Sequence, residues 1–472
     1  MDFASLNAVL RPDQILAGPA AERAYDCDAY TVDKSNPSVI VLPETTEEVA
    51  KVVRWCNQHQ IPFTARGAGT GLSGGAMPAL GGVVISTKKL TRILEIDIES
   101  RALHAEAGIA NKRITDAVAA HGLHFAPDPS SQTVSTLGGN IAENAGGPHT
   151  LKYGVTVQHI LGVTMVDPQG EILTIGGKYG QGPSYDFLGI ICGSEGLLGF
   201  VTEAWVKLTP VPTEVRTALI AFSTVRAATE SVAEIIARGT IPAALEIMDR
   251  GIMNAVHAAF GLSFPDDAQA LLLVECDGFD SGVVEGEMET VRAVCSEKGN
   301  LSFVEAADAK ERAKLWTARK KGVGAMGRLA PTVVTHDGVI PRSKLPEMLD
   351  FVYSVAAEHG IGVANIFHAG DGNLHPCFYF DDREPGVIER VVKAGEDIIR
   401  KCVELGGSVT GEHGVGVEKL DLLPLMYTPE DLAAQGLVKQ IFDQTGLANP
   451  CKVLPMNRAC AEHKIRWRGV AT

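Results

Sequence analysis

His368 and His375 bracket the segment HAGDGNLH, and Glu412 and His413 stand together in GEHGVG, residues 411–416. Two imidazoles and a carboxylate form a donor set that suits Zn, Mn or Fe(II) and leaves coordination positions open for a substrate. His368 and His375 are not spaced i, i+4, so this is not the helical H-E-x-x-H pair of a zinc protease. A lone histidine is more often a hydrogen-bonded structural residue than a ligand. Two imidazole-bearing, glycine-rich segments in one half of the chain favour a site. Asp371, between Gly370 and Gly372, suits the sharp turn this segment needs. Arg319, in LWTARKKG, offers a guanidinium that can grip a carboxylate in a bidentate pair. Beside Lys320 and Lys321 it reads equally well as part of a solvated helix face. His336 and Asp337 precede a strand and have no assignable role.

A second kind of chemistry is written in three stretches of small residues: 127–156 (PDPSSQTVSTLGGNIAENAGGPHTLKYGVT), 66–75 and 193–199. Such composition lets a backbone approach a ligand closely and offer its N–H groups. One stretch of this kind is explained equally well as a surface loop. Three imply a large, polar, phosphate-bearing ligand threaded between them. Gly69, Gly71 and Gly74 form a formal G-x-G-x-x-G. The next strand, 83–86, follows too soon for the helix that a dinucleotide fingerprint requires. This is a phosphate-cradling loop between two strands, and NAD is disfavoured.

The elements that must position these residues begin with a short helical lead-in over 1–35 and a strand at 39–42. An amphipathic helix follows in PETTEEVAKVVRWCNQHQ, with a Thr45/Glu48 capping box and Val49, Val52, Val53 and Cys56 on one face. Strands are expected at 61–65, 83–86, 103–107, 160–166, 171–175 and 200–208, with a helix at 112–121. TPVPTE (209–214) reads as a linker. Beyond it lie strands near 218–222, 271–275 and 363–367. Helices are expected at 224–238, 280–298, 308–327, 344–358 and 385–405.

With 472 residues the chain is long enough for two or three domains with real cores. A net charge of −15 argues against nucleic acid or an anionic membrane surface as the main partner. No apolar run is long enough for a transmembrane helix, and no signal peptide is read at the start, so a cytoplasmic protein is expected. The nine cysteines include no C-x-x-C and are expected to be reduced, buried residues. An iron–sulfur cluster would have to sit on a partner.

Taken together, ARGAGTGLSGG, PDPSSQ, GGNIAENAGG, KYG, GSEGLLGFVTE, HAGDGNLHP, GEHGVG and NPCKVLP resemble segments of the flavin-linked 2-hydroxyacid dehydrogenases. These form part of the vanillyl-alcohol oxidase/p-cresol methylhydroxylase superfamily. The resemblance covers about residues 38–456 and points to the branch of glycolate oxidase D subunits and D-lactate dehydrogenases. It implies an α+β fold, with a two-subdomain FAD-binding domain at 1–212 (about 1–100 and 101–212). A substrate and metal-binding α/β cap with an antiparallel sheet follows at 213–420, and a helical segment at 421–472 returns to the FAD.

The resemblance also implies roles. Arg66, Gly67, Gly69, Thr70, Gly71, Ser73 and Gly74 cradle the pyrophosphate of a non-covalent FAD. Pro127, Asp128, Ser130, Ser131, Ser135, Gly138, Gly139, Asn140, Asn144, Ala145 and Gly146 line the rest. They do so with Glu195, Gly196, Gly199, Val201, Asn449 and Lys452. His368, His375 and Glu412 hold a divalent metal, His413 is the general base, and Arg319 fixes the substrate carboxylate. At positions where the D-2-hydroxyglutarate branch carries Thr, Lys and Asn, this chain has Val323, Thr335 and Cys377. That favours glycolate or D-lactate over a dicarboxylate. Cys451 replaces the usual glycine of the N-P-G-K motif.

Family members often work beside a second FAD subunit and an iron–sulfur subunit, which would supply any contact with the inner face of the membrane. A homodimer is another arrangement, and the tail AEHKIRWRGV reads as a docking segment or a frayed end. A metal-dependent hydrolase without flavin would leave the three small-residue stretches unexplained. A flavin electron-transfer subunit without catalysis should lack His413 or a metal ligand, and all are present.

Overall fold

The computed structural model describes residues 3–455; Cys460 and the tail AEHKIRWRGV lie outside them. The chain divides into two compact units. The first comprises residues 1–146, 155–211 and 412–472, and the second residues 147–154 and 212–411.

The first unit holds two larger sheets. In a four-stranded sheet the order is Ile15–Leu16, Val39–Val41, Val83–Ser86 and Phe63–Arg66, the last three mutually parallel. Parallel neighbours need a long crossover. Between Phe63–Arg66 and Val83–Ser86 that crossover is the glycine-rich loop itself, with no helix in it. The helix Thr46–His59 starts where Thr45 Oγ1 accepts from Glu48 N at 3.2 Å. Its buried face, Val49, Val52, Val53 and Cys56, packs on Val41, Val83 and Ile85. A five-stranded antiparallel sheet runs Ile93–Asp97, Ala102–Glu106, Phe200–Lys207, Ile160–Val166 and Ile172–Gly176. Phe200–Lys207 alternates buried with half-buried residues and ends on the exposed Lys207, as a sheet with one packed face requires.

The second unit is built on an antiparallel sheet. Its order is Ser302–Glu305, Glu214–Phe222, Ala270–Gly278, Ala244–Asp249, Gly362–His368, Asn373–Leu374 and Gly338–Val339. Pro376–Phe380 pairs with both Gly362–His368 and Thr332–Thr335. Helices Arg250–Phe260 and Ala309–Ala325 pack on each other, and their Ile252, Met253, Val256, Ala318 and Ala325 join one apolar core with Ile366 and Cys377. Asp249 Oδ1 caps the first by accepting from Ile252 N at 3.1 Å. Asp308 caps the second by accepting from Lys310 N and Glu311 N at 2.8 Å.

Residues 127–156 are not simply a loop. They contain the helices Leu137–Glu143 and Thr150–Tyr153. Thr136 caps the first by accepting from Gly139 N, and Leu137 and Ile141 bury its apolar side. The cysteines also depart from expectation, because Cys451 is disulfide-bonded. Pairing depends on where the fold brings the Cα atoms, which spacing in the chain does not report. No helix among the described residues is long and apolar enough to cross a membrane.

Candidate active site

In the first unit the three small-residue stretches converge. A Cβ on Gly67 would lie 2.3 Å from Thr136 Oγ1, and one on Gly75 would lie 2.8 Å from Glu143 Oε1. The third stretch is tied to the helix Leu137–Glu143 by Gly193 N to Ile141 O (2.9 Å) and Glu195 N to Ala142 O (2.8 Å). Gly138 and Gly139 lie in the first turn of that helix and Asn140 just after. Asn144 ends it at φ 51°, where its Oδ1 accepts from Val157 N. Pro127 O accepts from Asn111 Nδ2, and Ser130 lies in the turn that Gln132 N closes by donating to Pro129 O, with Asp128 just before it.

The charged members of the expected cofactor set brace these loops. Arg66 Nη1 donates to Cys27 O (2.8 Å) and Ala76 O, beneath Gly69. Glu195 accepts from Val415 N (2.7 Å) and Gly416 N (2.8 Å), one oxygen each. Gly414 must be glycine here: φ is +87°, and a Cβ would lie 2.5 Å from Glu143 Oε2 and 2.8 Å from Glu195 Oε1. Asn449 Nδ2 donates to Glu195 O, and Lys452 Nζ donates to Gly75 O at 2.7 Å.

Four polar atoms on these segments are buried without a hydrogen-bond partner: Ser73 Oγ, Ser135 Oγ, Asn140 Nδ2 and Glu143 Oε2. Buried polar groups are nearly always paired. Four unpaired ones on converging small-residue loops fit a large polar cofactor held there. Asp28 and Glu143 were not singled out in the sequence. Burial pushes the Asp28 carboxyl up to about 6. It pushes Glu143 well above the usual carboxylate range, with Glu195 and Asp28 adding to the effect. The signal for Glu143 was an acid inside the otherwise neutral GGNIAENAGG.

Lys452 is pushed down to about 7 by burial, against the pull of Asp28, Glu195 and Glu143. An unfolded lysine titrates near ~10.4. Between those values the folded chain therefore binds fewer protons than the unfolded one, and this group's contribution to stability rises with pH. Lys452→Met removes that rise. Its melting midpoint relative to wild type is expected to be highest below about pH 7 and to fall steadily towards about pH 10. A difference in midpoint that does not change with pH would show that Lys452 is not depressed.

In the second unit, His368 ends the strand Gly362–His368 and is paired with Asn373 across a tight turn. Asn373 N donates to Asp371 Oδ1 within that turn, in keeping with the turn role expected for Asp371. His375 follows the strand Asn373–Leu374, and its ring meets that of His368 edge to face, with centroids 5.1 Å apart. Both histidines are buried. Arg319 is also buried, at 4 % exposed, so the solvated-face reading does not hold.

Glu246 lies between them and is 0 % exposed. Its Oε1 is 2.7 Å from His368 Nδ1, and its Oε2 accepts from Arg319 Nε. Burial works against its charge, yet Arg319 and His368 hold it below the usual carboxylate range. The sequence signal was an acid in the apolar run ALEIMD, every residue of which is buried.

Asp337, unassigned in the sequence, accepts from Thr410 Oγ1 (2.6 Å) and Gly411 N (2.8 Å) through Oδ2, and its Oδ1 is 3.6 Å from His375 Nε2. It therefore fixes the residues directly preceding Glu412 and His413, which open the next stretch of the first unit. His336 packs against Phe378 and the Cα of Gly395. Thr335 and Cys377 face each other across paired strands, 3.4 Å apart, with Cys377 in the apolar core. Val323 lies one helical turn beyond Arg319 and is half-exposed.

Residues 211–453 match the FAD linked oxidases, C-terminal domain, and residues 37–176 match the FAD binding domain. The chain belongs to the FAD-linked oxidase family. Glycolate oxidase subunit GlcD of Escherichia coli (strain K12) is 41% identical over 93% of this chain and 88% of its own. The Bacillus subtilis (strain 168) protein of the same name is 38% identical over 95% of each. D-lactate dehydrogenase of Archaeoglobus fulgidus is 33% identical over 90% of this chain and 96% of its own. Among solved structures, p-cresol methylhydroxylase with substrate bound superposes with a TM-score of 0.78 at 17% identity, over 96% of both chains. The fold is that of the p-cresol methylhydroxylase type, and this member of the FAD-linked oxidase family is a flavoprotein oxidoreductase.

Proposed function

We propose that the chain oxidises a small 2-hydroxy acid, glycolate or D-lactate, to the 2-oxo acid. The observation that carries this reading is the buried grouping of Arg319, Glu246 and His368: a fixed guanidinium beside an imidazole pair, shielded from solvent. The guanidinium supplies a bidentate grip for the substrate carboxylate. His368 and His375, with Glu412, would hold a divalent ion of the Zn, Mn or Fe class; the buried imidazole pair and the anchoring of Gly411 by Asp337 support this donor set. His413 would accept the proton of the 2-hydroxyl at an imidazole nitrogen. When bound, FAD supplies the acceptor for the C2 hydrogen and its electron pair, and the ion supplies a Lewis acid at the hydroxyl oxygen.

The size of the substrate is argued from three positions. Val323 and the Thr335–Cys377 pair offer no cation or amide for a second carboxylate, whose burial without partners would be costly. The relatives named as glycolate oxidase subunits support a further reading, that this chain passes electrons to partner subunits. One such partner would carry a second FAD and another an iron–sulfur cluster.

Anaerobic titration of the yellow protein tests the reading. Glycolate or D-lactate is expected to bleach the flavin absorbance, with L-lactate and D-2-hydroxyglutarate much less effective. Bleaching by D-2-hydroxyglutarate alone would reverse the substrate assignment, and a yellow protein that none of the four bleaches would overturn it.

A further inference from the structure

Glu246 belongs to neither the expected ligands nor the expected catalytic groups, yet it contacts one of each. It stands directly opposite His368 in the antiparallel pairing of Ala244–Asp249 with Gly362–His368. Each carboxylate oxygen has its own partner: Oε1 lies 2.7 Å from His368 Nδ1, and Oε2 takes the Nε–H of Arg319. The two partners are themselves 3.5 Å apart, Arg319 Nη2 to His368 Nδ1. One side chain therefore fixes both groups from the middle of a wholly buried strand.

The chemistry of this arrangement is specific. A carboxylate only accepts, so it selects the His368 tautomer with its proton on Nδ1 and leaves the Nε2 lone pair for an ion. On Arg319 it occupies the Nε edge and leaves the terminal nitrogens as a fork for a second carboxylate. We propose that Glu246 is a positioning residue that presents the His368 Nε2 lone pair to the metal and the Arg319 fork to the substrate carboxylate. The inference rests on the proposed metal and carboxylate reading of the site. It adds that metal affinity and carboxylate affinity are set by the same buried acid.

The test uses the full-length, FAD-loaded protein stripped of divalent ions. Zinc and manganese dissociation constants are measured by competition with a chromogenic chelator. The carboxylate grip is read separately as the dissociation constant of acetate for the metal-free protein, followed by the change in flavin absorbance; acetate has a carboxylate and no hydroxyl to meet an ion. Glu246→Gln keeps the volume but places an amide N–H against one of the two donors. It is expected to weaken metal binding by about 10–100-fold, the usual cost of losing such an orienting partner, and to raise the acetate constant in parallel. FAD content should stay at the wild-type level. Wild-type metal affinity in Glu246→Gln would overturn the proposal. Where that variant does not fold, Glu246→Asp decides: its charge is kept but its reach is shorter, so both constants should still weaken, and unchanged constants would overturn the idea. A wild-type protein that binds neither ion stoichiometrically would instead remove the metal reading itself, and this proposal with it.

Discussion

His413→Ala is expected to slow anaerobic flavin reduction by about 10²–10⁴-fold, the range that a positioned general base contributes, while leaving FAD bound. The residue lies in a segment whose backbone is fixed on either side of it. Two residues earlier, Gly411 N is held by Asp337 Oδ2, and two residues later, Val415 N is held by Glu195 Oε1. Gly416 N is held by the other Glu195 oxygen, and Gly416 itself has no room for a Cβ, which would lie 2.0 Å from Ser73 O. None of these contacts uses the His413 imidazole, so its removal should cost positioning of a proton acceptor and not the loop that carries it. Stopped-flow reduction with glycolate, beside the flavin content of the same preparation, measures both quantities. The pH profile adds a second signature: the limb of the rate that rises as an imidazole loses its proton should disappear in the variant. Reduction at the wild-type rate would remove His413 as the base. Loss of flavin with unchanged chemistry in the remaining holoprotein would assign it to the cofactor.

What the sequence disclosed depended on whether the information was local. The helix-free loop between Phe63–Arg66 and Val83–Ser86 was legible, because glycine spacing and the short distance to the next strand excluded a helix; that these strands pair in parallel with each other and with Val39–Val41 was not. The helix Val387–Glu404 was legible from its polar–apolar period, and Ala309–Ala325, which has almost none, from its run of strong helix formers. The strand Ala244–Asp249 and the helix Arg250–Phe260 after it were not. A strand buried on both faces shows no alternation, and its two acids interrupt the apolar run. Glu246 was hidden with it. The helix Leu137–Glu143 was missed for the opposite reason, since Gly138 and Gly139 suppress helix propensity and only the Thr136 cap and the Leu137/Ile141 face reveal it.

Non-local pairings were out of reach altogether. Residues 147–154 leave the flavin-binding stretch of the chain to join the second unit, where His149 meets Glu275 and Trp316, and Tyr153 Oη donates to Asp277 at 2.7 Å. The motif KYG was visible as a motif. The acids it binds stand more than a hundred residues later, and nothing in its own composition names them.

Arg319→Met carries the other large expected effect, and it must be separated into two parts. The guanidinium is buried against Glu246, whose side chain is 0 % exposed. Removing one member of such a pair leaves an uncompensated charge and costs about 3–5 kcal/mol of stability. The same substitution removes the proposed fork for the substrate carboxylate. At about 1.5–3 kcal/mol for each charge-assisted bond, and about 1.4 kcal/mol per factor of ten, kcat/KM should fall at least about a hundredfold. Arg319→Lys keeps the charge without the planar fork, so it should recover stability better than activity.

A double variant separates the two parts. Pairing Arg319→Met with Glu246→Leu removes both charges, and replacing a buried ion pair by apolar groups is often neutral or stabilising. Its melting midpoint is therefore expected to return towards wild type. Its KM for glycolate is expected to remain high, because restoring the fold does not restore a cation. If KM also returned to the wild-type value, Arg319 would be a member of the core that happens to be charged, and the substrate carboxylate would have to be held elsewhere.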